Sequence, residues 1–513
     1  MSDVLCVSLW PPRSLRLIRG CILRLTAKIA KDGNNKAEPA TFNRLNCHCN
    51  RIQMNTASLP SELQKLSDYY KTGATLSYAF RRKQLLALKA AVQQYEKEIH
   101  DALYTDLKKS PEEAYASETG LVISEINYVL ANLRKWMKPE IVATDMVNLP
   151  SRSTIYRDPL GVVLIIAPFN YPMQLLLKPL VGAIAGGNCA VLKPSELTSA
   201  TTTVVNKIIR ETFPPSYIRV VEGDGAEVIP AMFSAFRFDH IFYTGSTTVG
   251  KIIYKQAAEQ LIPVTLELGG KSPCIIEEDA DLQVAARRIA IGKFTNTGQT
   301  CIAPDYLLIK SSVKERFLGY LVAAIEKFYS SDPASSYEYG KIVNERQFDR
   351  LTGYLQHGKI IYGGRHDRAA LFISPTIIDE VDQESELMKQ EIFGPLLPVL
   401  TYDDSMEAMQ IVQLNPQPLA FYLFSHSKQK ASEWISRIPF GSGCINNTIW
   451  HFTNPHLPFG GVGNSGLGSY HGKYSFHTFT RAKSVMKTPT WFDPAIKYPP
   501  LKGKLKLFKW VIR

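Results

Sequence analysis

The strongest constraint on what this 513-residue chain can fold into is a run without a single polar side chain, Gly161-Val-Val-Leu-Ile-Ile-Ala167, closed by Pro168. A strand with one wet face alternates apolar and polar residues, whereas a strand covered on both faces does not. The run therefore predicts a central strand with helices packed above and below it. The pattern then repeats. A helical stretch from Met173 to Ala185 leads to a strand over Cys189 to Leu192 and a helix from Thr198. Strands at Arg219 to Val221 and His240 to Tyr243 precede a helix from Thr248, and strands at Val264 to Leu268 and Pro273 to Ile276 precede a helix over Asp281 to Phe294. Recurring β-α-β order predicts an α/β protein built on a doubly wound parallel sheet. Upstream, Leu85, Leu88, Val92, Tyr95, Ile99 and Leu103 recur every three or four residues, which predicts one long amphipathic helix.

At this length about three structural units are expected. The net charge of +12 suggests nucleic acid until it is located. Residues 1–53 hold nine Lys/Arg against three acids, and residues 497–513 hold six against none. The stretch between them has 44 of each sign and is neutral, so a basic groove for nucleic acid is not expected. Cys6, Cys21, Cys47 and Cys49 lie in the first 53 residues; Cys189, Cys274, Cys301 and Cys444 are spread over the rest. That is no disulfide framework and points to a reducing, cytoplasmic compartment. Cys47-His48-Cys49 lacks a second ligand pair, so no metal is expected. No apolar stretch approaches the ~18 residues of a membrane helix.

Parallel sheets bind ligands beyond the carboxyl ends of their strands. The polar and glycine residues there are Asn170, then Lys193 and Glu196, then Gly245-Ser246, then Glu267 ahead of Gly269-Gly270; Cys301 follows in Asn296-Thr-Gly-Gln-Thr-Cys301. Singly, each has a plain structural alternative. Gly245 could serve a tight turn, Glu267 could pair with Lys271, Cys301 could be a small core side chain, and Asn170 a turn residue. Together they make a thiol nucleophile, a carboxylate base, an amide donor and a nucleotide-binding turn. Those are the parts needed to oxidise an aldehyde through a thioester.

Seven segments in order, Ala167-Pro-Phe-Asn170-Tyr-Pro, Leu192-Lys-Pro-Ser-Glu196, Tyr243-Thr-Gly-Ser246, Leu266-Glu-Leu-Gly-Gly-Lys271, Gly298-Gln-Thr-Cys301, Glu391-Ile-Phe-Gly-Pro395 and Pro458-Phe-Gly-Gly-Val-Gly463, resemble the motif series of the NAD(P)-dependent aldehyde dehydrogenases. The resemblance covers about residues 57–490, and Tyr69-Tyr-Lys71, Arg81-Arg-Lys83 and His477-Thr-Phe-Thr-Arg481 look like the class 3 branch of fatty and aromatic aldehyde dehydrogenases. It implies Cys301 as nucleophile, Glu267 as general base and the Asn170 amide with the Cys301 N–H as oxyanion donors. It also implies Lys193 and Glu391 at the ribose hydroxyls, Glu196 near the adenosine ribose, Gly245 and Ser246 at the pyrophosphate, and Phe393 at the nicotinamide end. Lys178 matches a lysine linked to proton relay. NAD is the implied cofactor, with NADP also accepted. The substrates implied are medium- or long-chain aliphatic or aromatic aldehydes, converted to carboxylates by a homodimer. The rival readings are a dehydrogenase that passes its acyl group to coenzyme A, which the retained Glu267 disfavours, and a non-catalytic binding relative, which the intact Cys301, Glu267 and Asn170 disfavour.

The implied architecture is a dinucleotide-binding domain over 54–266 interrupted by a bridging hairpin at about 141–156, a catalytic domain over 267–474, and a bridging strand with a basic tail over 475–513. Residues 1–53 contribute no motif and read as an upstream extension, either transit-peptide-like with mitochondrial import or preceding a true start at Met54. A chain beginning at Met54 is expected to fold, dimerise and turn over like the whole. The alternating basic and apolar end, Leu501 to Arg513, is too short and charged to span a membrane but suits peripheral contact with anionic lipid.

Overall fold

A computed structural model describes residues 58–512. The expectations for residues 1–53, Cys47-His48-Cys49 among them, lie outside the described residues. The described residues form one compact unit.

Its first sheet has six strands in the order β17-β7-β6-β3-β4-β5. These are β3 (Val162–Ile166), β4 (Cys189–Lys193), β5 (Ile218–Val220), β6 (His240–Thr244), β7 (Val264–Glu267) and the short β17 (Gly466–Leu467), which alone runs antiparallel. Every residue of β3, β4 and β6 is buried, as the unbroken apolar run of β3 requires and as the apolar centres of β4 and β6 allow. Register fixes what happens at the strand ends. Ile166 pairs with Lys193 on one side and Tyr243 on the other, and Thr244 pairs with Glu267. The residues that leave β3, β4, β6 and β7 thus emerge at one level along one edge.

The second sheet runs β10-β13-β14-β9-β8-β15-β16. It joins β8 (Pro273–Ile276), β9 (Tyr306–Lys310), β10 (Lys359–Tyr362), β13 (Thr376–Asp379), β14 (Leu396–Tyr402), β15 (Ala420–Phe424) and β16 (Ser442–Ile445), all parallel except β10. A small hairpin pairs β11 (His366–Asp367) with β12 (Phe372–Ile373). A third, antiparallel sheet aligns β1 (Glu140–Val142), β2 (Arg152–Pro159) and β18 (Thr480–Lys487). The mixed α/β class, the parallel sheets and the small third sheet agree with the sequence reading.

Two local expectations differ from the fold. The long amphipathic helix is two, Tyr78–Gln94 and Glu96–Leu107, parted at Tyr95 where φ and ψ leave the helical region. Leu85, Leu88, Val92, Ile99 and Leu103 are nonetheless all fully buried, because so brief a break keeps the apolar stripe on one side. Between β5 and β6 lies an unanticipated helix, Gly225–Ala235, in a stretch whose Gly225 and Pro230 read as breakers. Asp224 caps it by accepting from the Ala226 N–H at 2.8 Å, and Val228, Ile229, Met232 and Phe233 bury its inner face.

Candidate active site

Asn170 leaves β3 and is almost wholly buried. One N–H of its side-chain amide donates to the Gln299 carbonyl at 3.0 Å, and its Oδ1 has no partner. A primary amide has two N–H groups, so one bond fixes the group and leaves a second donor available. The same contact ties Asn170 to the segment carrying Cys301. That segment is tightly wound: Asn296, Thr297 and Gly298 have φ of 52°, 55° and 72°. For the two non-glycine residues this conformation costs about 1–3 kcal/mol each and persists only when surroundings enforce it. Here Glu113 accepts from the Asn296 N–H at 3.0 Å, while the Gln299 side chain donates to the Lys341 carbonyl at 3.0 Å and accepts from the Val343 N–H at 3.0 Å. The Tyr171 and Thr300 hydroxyls lie 2.7 Å apart.

Cys301 is half-buried at the end of this segment. Burial raises its thiol far above the ordinary range, with the Glu391 and Glu267 carboxyls adding to the rise; the N–H groups of Cys301 and Ile302 directed at the sulfur oppose it. The resting group is a thiol with carboxyls for neighbours. Glu267, the last residue of β7, is buried and neither of its oxygens has a hydrogen-bond partner. Burial alone drives its carboxyl well above the ordinary value. The alternative pairing with Lys271 does not form, since Lys271 donates to Asp305 at 2.5 Å and to the Leu387 and Gln390 carbonyls. Glu391 folds over the turn that follows Glu267, where a Cβ at Gly269 would collide with its carboxylate. Glycine at 269 is what allows that approach. Burial, then Asp305, push the Glu391 carboxyl up to about 8, against the Gly270 N–H that it accepts. Phe393, with φ 50°, sets its ring edge-on to Phe169 at 5.6 Å, beside Asn170.

The ends of β4 and β6 are wetter. Lys193 is buried and donates to Glu196 at 2.7 Å and to the Pro194 carbonyl at 2.8 Å; the Glu196 side chain is 41% exposed. Ser246 caps the 13-residue helix Thr247–Glu259 by accepting from the Val249 N–H at 3.4 Å, and the Gly245 N–H donates to the Glu267 carbonyl at 3.0 Å. A Cβ at Gly245 would collide with the Tyr243 hydroxyl. An ammonium and a carboxylate at the end of β4 suit vicinal hydroxyls, and a capped helix N-terminus after β6 suits a pyrophosphate. This donor set fits a dinucleotide.

Lys178 is buried with its Nζ 3.0 Å from His471 Nε2. Burial lowers its ammonium despite Glu125 nearby. The sequence reading missed His471 and three residues that brace the Asn170 side, Lys109, Glu113 and Glu118. Their charges look like ordinary solvated helix residues, and no spacing marks them as buried.

The family model described as aldehyde dehydrogenase family matches residues 52–485. The chain is 46% identical over 443 residues to 4,4'-diaponeurosporen-aldehyde dehydrogenase of Staphylococcus aureus, covering 86% of this chain and 96% of that protein. It is 41% identical over 445 residues to the dimeric NADP-preferring aldehyde dehydrogenase of Canis lupus familiaris, covering 86% and 98%. Among solved structures, the substrate-bound state of Staphylococcus aureus AldH superposes with a TM-score of 0.86 at 44% identity, over 88% of this chain and 99% of that one.

Proposed function

The chain belongs to the aldehyde dehydrogenase family, and on that premise we propose which of its residues carry the NAD(P)-dependent oxidation and which aldehydes it takes. Cys301 gives up its thiol proton to solvent and adds through sulfur to the aldehyde carbonyl. The resulting oxyanion accepts from the free N–H of the Asn170 amide and from the Cys301 N–H. Lys193, Glu196, Gly245, Ser246 and Glu391 hold the dinucleotide, with Phe393 at its nicotinamide end. When bound, it supplies the hydride acceptor that lets the adduct become a thioester. Glu267 then takes a proton from water as the oxygen attacks the thioester, the carbon–sulfur bond breaks, and Glu267 passes that proton to the departing sulfur, so the acid leaves with the Cys301 thiol restored.

The observation that carries this reading is the state of Glu267. A buried carboxyl with no partner on either oxygen has no structural bond to explain it, and it lies near enough to Cys301 to raise the thiol. It also separates hydrolysis from transfer to coenzyme A, which needs no water-activating base. The test is product analysis with coenzyme A present: carboxylate supports the reading, acyl-coenzyme A overturns it.

The substrate class proposed is medium- or long-chain aliphatic and aromatic aldehydes. Tyr422 donates to the carbonyl of Ile302, next to the nucleophile, at 2.5 Å. Its ring lies 6.1 Å from that of His451, which stacks on Phe459 at 6.1 Å and 17°. The aromatic rings grouped around Tyr422, whose hydroxyl is bonded next to the nucleophile, favour apolar substrates. A series of aldehydes scored by kcat/KM with each cofactor tests this, and a preference for short hydrophilic aldehydes would refute it.

A homodimer is proposed from apolar side chains left exposed on and beside the third sheet, Ile141, Met146, Val485 and Met486, and on the helix Thr247–Glu259, Val249 and Ile252. The four cysteines Cys189, Cys274, Cys301 and Cys444 are unpaired, in keeping with a cytoplasmic location. No helix among the described residues is long and apolar enough to cross a membrane. The tail exposes Trp491, Leu505, Trp510 and Ile512 among its lysines, a pattern suited to peripheral, salt-sensitive contact with anionic lipid.

A further inference from the structure

Beneath Asn170 lies an ion pair that the reaction scheme does not use. Lys109 and Glu118 are fully buried, with Nζ and Oε1 2.7 Å apart. Glu118 lies in the single wide turn Tyr115–Thr119, a π-helical interruption of the kind that re-aims a side chain. Its second oxygen accepts from the Gln174 N–H at 2.8 Å, at the first turn of the helix Gln174–Gly186. The Lys109 ammonium makes a second bond, 2.8 Å to the carbonyl of Asn170, and sits 4.0 Å above the ring centre of Tyr171. The Asn170 carbonyl accepts again from the Asn296 side chain at 2.9 Å. Such burial is costly: a buried pair is weak evidence for stability, because desolvation cancels much of the attraction. What this pair does have is aim. Its ammonium grips the backbone of the residue whose amide is read as the oxyanion donor, and that of no other loop residue.

We propose that Lys109, held by Glu118, is a positioning residue for the oxyanion: it fixes the Asn170 backbone and with it the direction of the free amide N–H. The inference rests on the proposed role of Asn170. A displacement of ~1 Å at such a donor costs up to ~100-fold in rate. Lys109 touches no reacting atom; it acts through the Asn170 carbonyl that it holds, and its contact with the Tyr171 ring falls on the next residue of the same loop.

The test compares wild type with Lys109→Met/Glu118→Gln, which removes both charges at nearly constant volume, with Asn170→Ala, and with the three changes combined. The readouts are the NADH burst in a single turnover and the rate at which iodoacetamide alkylates Cys301. Alkylation displaces iodide at a saturated carbon and forms no oxyanion. The expected result is a burst slowed ~10- to 100-fold in the paired variant, alkylation within about twofold of wild type, and a combined variant no slower than Asn170→Ala alone. Equal loss in burst and alkylation, or full additivity with Asn170→Ala, would overturn the inference and leave the pair a fold element. A normal burst in Asn170→Ala would instead overturn the oxyanion assignment itself. If melting shows the paired variant unfolded, Lys109→Arg and Glu118→Asp, which keep each charge and alter its reach, are measured in its place, with the same outcomes read the same way.

Discussion

The two ends of the site are built in opposite ways. Around Cys301, Asn170 and Glu267 the titratable groups are withdrawn from water, and the backbone is tied down by Glu113, Gln299 and Lys109. At the ends of β4 and β6 the Lys193–Glu196 pair lies three residues apart along the chain, its ammonium buried but its carboxylate reaching solvent, and Ser246 does no more than cap its helix. Bond-making requires groups whose protonation is set by desolvation and whose positions do not drift, since a misplaced donor loses most of its effect. Holding hydroxyls and phosphates tolerates water and local pairing. Substitutions should therefore fall steeply at one end and gently at the other.

The largest effect is expected from Cys301→Ala. It should remove both cofactor reduction and any esterase activity, a loss of ~10⁴-fold or more in kcat, while dinucleotide binding followed by fluorescence stays intact. Residual turnover above that level would place the nucleophile elsewhere. Next, Glu267→Gln should retain the first NADH burst but lower steady-state turnover by ~10²- to 10⁴-fold. Loss of the burst as well would mean that Glu267 activates the thiol rather than water.

The pH dependence sharpens the same contrast. Burial holds the Glu267 carboxyl well above the ordinary carboxylate value, so it is protonated and inactive as a base at low pH and ionises only as the pH climbs through that raised value. Deacylation should accordingly rise with pH across a range above the usual 4.5, and the rise should vanish in Glu267→Gln; a profile already flat from pH 5 upward contradicts a raised base. The smallest effect belongs to the wet end. Glu196→Gln removes a half-exposed negative charge at the proposed adenosine-ribose site, and should shift the NADP to NAD ratio of kcat/KM by about two- to fivefold. A shift as large as that at Glu267 would erase the distinction between the two ends.

Much of this was legible before any coordinates. The unbroken apolar run of β3 announces a strand covered on both faces, the strands that alternate with helices after it predict a parallel sheet, and parallel topology places the residues after the strands at one edge. Asn170, Lys193, Gly245 and Glu267 could thus be nominated together. Other features left no such trace. The helix Gly225–Ala235 was hidden because Pro230 reads as a breaker, although Asp224 and four buried side chains stabilise it. Glu391 could be nominated only by resemblance, 124 residues from Glu267; its approach depends on Gly269 having no side chain.

Sequence alone determined the layered α/β order, the strand ends and the residue types able to do the chemistry, because periodicity and strand polarity are local properties of the chain. Only the tertiary structure decided which charges lose their water. Lys109 and Glu118 look in sequence like Lys97 and Asp101, which pair on the surface, yet the first two are fully buried under Asn170 and the second two are more than half exposed. Burial is a property of everything packed around a group rather than of its neighbours in the chain, and it is burial that sets the state of Glu267 and Cys301 and the grip of Lys109 on Asn170.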